Sequence, residues 1–125
     1  MRRSFWARGL LSVFGIAASA AAWGGDPAAG QAVFKTQCGI CHSAVQGKNL
    51  VGPSLFGVVG RKSGSVAGFH YSAANRDAGI TWDVAILDKY LAAPRELVPG
   101  TIMTFPGLTD EEKRADVIAY LETLH

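Results

Sequence analysis

The chain has 125 residues, 49% of them hydrophobic, and a formal charge of +2; that length suits one domain. Three of its twelve basic residues, Arg2, Arg3 and Arg8, stand in the first ten, and from residue 23 onward nine Lys and Arg face ten Asp and Glu, a net −1. The body of the chain therefore lacks the basic surplus of a nucleic-acid-binding surface.

Residues 1–22 read as a secretory signal. Arg2, Arg3 and Arg8 make a positive start, Leu10 to Ala22 is an apolar run, and Ala18-Ser19-Ala20 and Ala20-Ala21-Ala22 offer small-residue cleavage sites. The run is shorter than the roughly 20 apolar residues of a spanning helix, which argues against an uncleaved anchor. Residues 23–125 are then expected to form a single domain.

Asp26-Pro27 opens the first predicted helix, Pro27 to about Gln37, because Asp is a good N-cap and Pro is preset for the first helical position. Ala29, Val33 and Phe34 share a face, with Gly30 offering close approach to another helix.

The helix runs into Cys38-Gly39-Ile40-Cys41-His42, which holds both cysteines of the chain. In an exported protein the pair invites a disulfide, a redox pair or half a zinc site. Zinc would need two more ligands, and His70 and His125 are the other histidines. Cys-x-x-Cys followed at once by His favours c-type haem attachment. The thiols add to the two vinyl groups of one porphyrin, and His42 is held under the iron. Arg2-Arg3-Ser4-Phe5 hints at a twin-arginine signal, but that route carries folded cargo, and a c-type apoprotein usually stays unfolded until haem is attached.

Ser43 to Gly68 reads as loop, punctuated by six glycines and Pro53. So long a structureless stretch makes sense wrapped around a large rigid ligand, with a backbone carbonyl near Pro53 free to accept from His42. Ser72 caps a short predicted helix, Ala73 to Ala78, closed by Gly79. Asp83 to Ala92 reads as a further helix with Ile86, Leu87, Tyr90 and Leu91 on its apolar face, ended by Pro94. Residues 93–108 read as loop. The last helix is expected to open on a capping box, Thr109 to Glu112, and to bury Val117, Tyr120, Leu121 and Leu124.

Apart from Met1, Met103 is the single methionine, and it lies in a Pro/Gly-rich loop. A methionine often only fills a core gap. Opposite His42 it would close a six-coordinate iron with a raised reduction potential and no open position for oxygen or peroxide. The alternatives are His70, giving a bis-histidine site, or an open sixth position; Met103 is favoured, and His70 reads as a surface residue.

These motifs, with Gly30-x-x-x-Phe34, Gly52-Pro53-x-Leu55-x-Gly57, Gly60-Arg61, Gly68-Phe69-x-Tyr71, Ala74-Asn75, Gly79-Ile80-x-Trp82, Tyr90-Leu91, Pro94, Pro99-Gly100-Thr101-x-Met103-x-Phe105 and Ile118-Ala119-Tyr120-Leu121, resemble the class I cytochromes c, in the branch of mitochondrial cytochrome c and bacterial cytochrome c2. The resemblance covers about residues 27–124. It implies an all-α cytochrome c fold: a small helical haem domain with three main helices and long loops, the first and last crossing near Gly30 with Phe34 and Tyr120 at the contact. It implies one haem c on Cys38 and Cys41, His42 and Met103 as iron ligands, and the Pro53 carbonyl on the His42 ring. Tyr71 and Trp82 would bond one haem propionate, with Arg61 near the other. Asn75, Tyr90 and Thr101 would form a polar network around an internal water on the Met103 side.

The implied function is that of a soluble, monomeric, periplasmic one-electron carrier in a Gram-negative bacterium, not an enzyme, shuttling electrons between membrane or periplasmic redox complexes. Two alternatives stand beside it: a dedicated redox subunit of a periplasmic dehydrogenase complex, and a ligand-binding or peroxidase-like haem protein with a displaceable Met103. The chain departs from its mitochondrial relatives where they carry a ring of lysines. Here those places hold Gln37, Leu50, Glu96 and Ile102, with Lys48 and Arg95 left as cations. Partner docking is therefore expected through an apolar patch of Leu50, Val51, Ile102 and Phe105, with little charge steering.

Overall fold

In the computed structural model, which describes residues 24–125, Asp26 caps the first helix, α1 (Pro27–Gln37), by accepting the Ala28 N–H at 2.9 Å. The signal segment expected at 1–22 lies outside the described residues. Four more helices follow: α2 (Ala73–Arg76), α3 (Val84–Ala92), α4 (Pro94–Leu97) and α5 (Glu111–Glu122). Three are of substantial length and two are single turns, joined by long loops, and the described residues contain no strand.

The crossing of α1 and α5 is the frame of the molecule. Gly30 lies against the backbone of α5, where a methyl group would overlap the Asp116 carbonyl. Phe34 packs on Tyr120 with ring centroids 5.4 Å apart. The Asp116 carboxylate accepts the Asp26 N–H at 2.7 Å, so one side chain of α5 also pins the start of α1. Val117, Ile118, Ala119 and Leu121 of α5 are buried, as are Leu87 and Tyr90 of α3. Tyr120 is half-buried. With Phe34, Val58, Trp82 and Val98 these form one core.

Three expected boundaries shift. The last helix is capped by Asp110, whose carboxylate accepts the Lys113 N–H at 3.0 Å. Thr109 is outside it, its carbonyl taken by the Arg114 guanidinium at 3.1 Å, so the Thr109–Glu112 capping box does not form. Pro94 ends α3 and also begins α4, so residues 93–108 are not all loop. Ala93 leaves the helical region, as a residue before proline tends to (φ −154°, ψ 78°), and Pro94 then occupies the first position of a new turn. The helix after Ser72 stops at Arg76, short of Ala78, although Gly79 does adopt the positive φ (65°) expected of it.

The stretch 43–68 contains no helix, but it is tied down. Gly52 N–H donates to Cys41, Leu55 N–H to Ser43 and Gly57 N–H to Leu124. Around an isolated Lys62–Thr81 bridge, Trp82 accepts from Gly60 and donates to Arg61. The loop is thus anchored on the turn after α1, on the chain's end and on the approach to α3.

Candidate functional site

Cys38 closes α1 as its C-cap, and residues 38–42 wind into a tight turn in which Cys41 and His42 N–H both donate to the Cys38 carbonyl. The turn presents both sulfurs from one short segment, as unbonded, half-buried thiols. Before attachment, burial, followed by the neighbouring Cys41, pushes the Cys38 thiol up to about 11.

His42 is oriented by backbone. Its Nδ1–H donates to the Pro53 carbonyl at 2.8 Å, which leaves Nε2 free as a lone-pair donor. Burial lowers the imidazole pKa, opposed by the Pro53 bond and aided by the Arg61 charge, which favours the neutral, ligating form. Gly52 lies flat on the ring, and any side chain there would overlap His42 Cε1.

Met103 is half-buried against the core. Tyr90 of α3 reaches it, its hydroxyl 3.7 Å from the Met103 sulfur. The Thr101 hydroxyl accepts the Met103 N–H at 3.2 Å, which fixes the loop's local turn. Burial raises the Tyr90 pKa and the adjacent Thr101 hydroxyl opposes it, so Tyr90 remains a donor. Tyr90, Thr101 and Met103 are therefore brought together. Asn75 keeps a buried side-chain oxygen with no partner.

Arg61 uses Nη1 to bridge the Ser54 and Phe56 carbonyls, both at 3.0 Å, while its buried Nε–H has no partner. Tyr71 accepts the Val66 N–H at 3.0 Å and stacks edge-on against Phe69. Trp82 is buried against Tyr90, centroids 4.7 Å apart. His70 is exposed and half-buried Tyr71 lies beside it.

At the surface, Val51, Ile102 and Leu50 are exposed, the first two 78% and 71%. Phe105 is half-buried rather than exposed, so the expected patch is smaller on that side. Sequence reasoning missed two further exposed aliphatic residues, Ile40 (84% exposed) and Val45 (60%). Their signal was present as aliphatic residues in turns where burial had no periodic basis. It also missed Asp116, an acid inside the apolar stripe of α5.

The family model described as "Cytochrome c" matches residues 27–125. The chain belongs to the cytochrome c family. It is 54% identical to cytochrome c2 of Rhodopila globiformis over 100 residues, 80% of this chain and 94% of that protein. It is also 54% identical to cytochrome c2 of Rhodoblastus acidophilus, over 78% of this chain and 91% of the other. The structure of cytochrome cH from Methylobacterium extorquens superimposes with a TM-score of 0.75 at 49% identity, covering 79% of this chain and 99% of that one. The chain is thus an all-α class I cytochrome c, and it carries one haem c, attached through Cys38 and Cys41.

The residues present fit that group. A neutral histidine with one free nitrogen suits iron. The unpartnered Arg61 Nε–H is a donor waiting for an anion such as a carboxylate, and the unpartnered Asn75 oxygen needs a donor. A cysteine pair presented by a single turn can reach one edge of a macrocycle.

Proposed function

We propose that this cytochrome c is a one-electron carrier of the periplasm with His42 and Met103 as its axial iron ligands. The observation that carries the reading is the separate preparation of each of those two side chains. His42 is aimed by the Pro53 carbonyl and Gly52, and Met103 by Tyr90 and Thr101. The haem supplies the reversible Fe(III)/Fe(II) couple. The protein's work is to keep the same donors in both oxidation states, so that little reorganises as the electron passes. The Pro53 bond makes His42 a stronger donor, whereas a thioether favours Fe(II) and raises the potential. Arg61, Tyr71 and Trp82 are the proposed surroundings of the haem carboxylates, and Asn75, Tyr90 and Thr101 the polar group on the Met103 side. The protein is read as a carrier, not an enzyme.

Export follows from the signal read at residues 1–22, with residues 23–125 as the working domain. Among the described residues no helix is long and apolar enough to cross a membrane. The electron would pass at a face containing Leu50, Val51, Ile102 and the edge of Phe105, met by an apolar face of a redox protein.

Potentiometric titration of the holoprotein tests the reading. A reversible one-electron couple is expected, with the weak charge-transfer band of an iron–sulfur(Met) bond in the oxidised form. A stable open-site spectrum would refute it. Electron-transfer rates with the native partner should change little with ionic strength, because charge complementarity acts mainly on salt-sensitive association; a steep fall with salt would refute the apolar docking face.

A second reading, a dedicated subunit of a periplasmic dehydrogenase, draws support from the exposure of Ile40, Val51 and Ile102. Stable co-purification with a larger redox enzyme would favour it.

A further inference from the structure

The loop bearing Met103 is held unevenly. On its N-terminal side Thr101 N–H donates to the Val98 carbonyl, and Thr101 Oγ1 accepts from Met103. From Thr104 to Gly107 no backbone group makes a hydrogen bond to another backbone group among the described residues. The chain is caught again only at Leu108, whose N–H donates to the Leu91 carbonyl of α3 at 2.7 Å. Just before it, Gly107 (φ 122°) passes so close over the end of α3 that a methyl group would overlap the Ala92 carbonyl.

Arg114 of α5 is the side chain that closes this end. Its Nη1 donates to the Leu108 carbonyl at 3.0 Å and to the Thr109 carbonyl at 3.1 Å. Its Nε donates to Asp88 of α3 at 2.9 Å. The Arg114 side chain is only 12% exposed, although Asp88 is 49% exposed. One guanidinium thus joins α5, α3 and the distal limb of the loop. Asp88 lies two residues before Tyr90, which contacts the Met103 sulfur.

We infer that Arg114 is a positioning residue for Met103: it locks the distal limb of the loop and so holds the sulfur at the iron. The inference rests on the proposed Met103 ligation, and it assigns a residue that does not touch the haem. The planar fork is essential, because it satisfies two adjacent carbonyls and a carboxylate at once. Lysine keeps the charge but not that geometry. Losing charge-assisted bonds of this kind raises the population of the loop-open state by about tenfold or more.

The test compares parent holoprotein with Arg114→Lys and Asp88→Asn. Imidazole, which reaches the oxidised iron only when the sulfur has left, is the probe. Its apparent affinity scales with the open fraction, so Arg114→Lys should bind it about tenfold more tightly. Asp88→Asn keeps both carbonyl bonds and should show a smaller gain. Far-ultraviolet circular dichroism should remain that of the parent. Amide exchange supplies a readout independent of ligation: Leu108 should exchange about tenfold faster in Arg114→Lys, with Ile118 of α5 unchanged. Unchanged Leu108 exchange, or equal acceleration at Leu108 and Ile118, overturns the lock. If Met103→Ala leaves the parent spectrum unaltered, the ligand assignment falls instead, and the inference that Arg114 positions a ligand falls with it, whatever the exchange shows about the loop.

Discussion

At the scale of single residues, the two proposed ligands are prepared by different means. His42 is fixed by a backbone carbonyl and a glycine, while Met103 is fixed by side chains, Tyr90 and Thr101. Met103→Ala should therefore leave the haem attached but open its sixth position. The oxidised protein should lose the sulfur charge-transfer band and gain tight imidazole binding. Its potential should fall by on the order of 0.1–0.3 V, part of the ~0.8 V that axial ligands control. Gly52→Ala acts on the opposite side. Its methyl group has no room beside His42 Cε1, so the loop or the ring must move. A loss of about 1–3 kcal/mol in denaturant stability is expected, the range for overpacking. The Cys38–His42 turn was fully legible in sequence because its chemistry is local. The unpartnered Arg61 Nε and Asn75 oxygen were not, since orphaned groups exist only once a chain has closed around them.

At the scale of elements, local rules located α1, α2, α3 and α5, missed the single turn α4, and failed at some helix ends. Asp26-Pro27 marked the start of α1 because an N-cap and a proline act on neighbouring backbone alone. The start of α5 offered two caps one residue apart, Thr109 and Asp110. The Thr109 carbonyl is engaged by Arg114, and the carboxylate of Asp110 takes the cap. Asp110→Ala should accordingly cost about 1 kcal/mol, whereas Thr109→Ala should be nearly neutral; chemical denaturation of the holoprotein separates the two. The crossing of α1 and α5 depends on backbone contact at Gly30. Gly30→Ala gains helix propensity but forces the helices apart. It should lower the holoprotein's stability, measured as a reduced Tm, rather than raise it as alanine does at an exposed helical site.

At the scale of the whole molecule, three helices and long loops leave a small core. The buried hydrophobic residues of the described chain are few, and many others that pack against them, Leu55, Ile80, Leu97, Met103 and Leu108 among them, are only partly buried. A domain of about 100 residues is marginal on such a core. Apoprotein obtained from a Cys38→Ala, Cys41→Ala variant should therefore lack a cooperative thermal transition and lose most of its helical circular dichroism. Retention of both would show that the polypeptide core suffices. The same scale decides the surface. Ile40, Val45, Val51 and Ile102 stand exposed outside the helices; the apolar docking face is proposed from Val51 and Ile102 with Leu50.

The sequence by itself determined the cofactor chemistry, the family and the order of the three main helices. Those depend on residue types at fixed short spacings: a Cys-x-x-Cys-His turn, caps, a proline and apolar periodicity. The tertiary structure alone decided which aliphatic side chains face solvent, which carbonyl receives which cation, and that Arg114 ties α3, α5 and the Met103 loop together. Asp88 and Arg114 are 26 residues apart, and Asp26 and Asp116 are 90 apart. No local rule pairs groups so distant in the chain. They meet only because α1, α3 and α5 pack on one core, and that packing is settled by the sum of all their contacts.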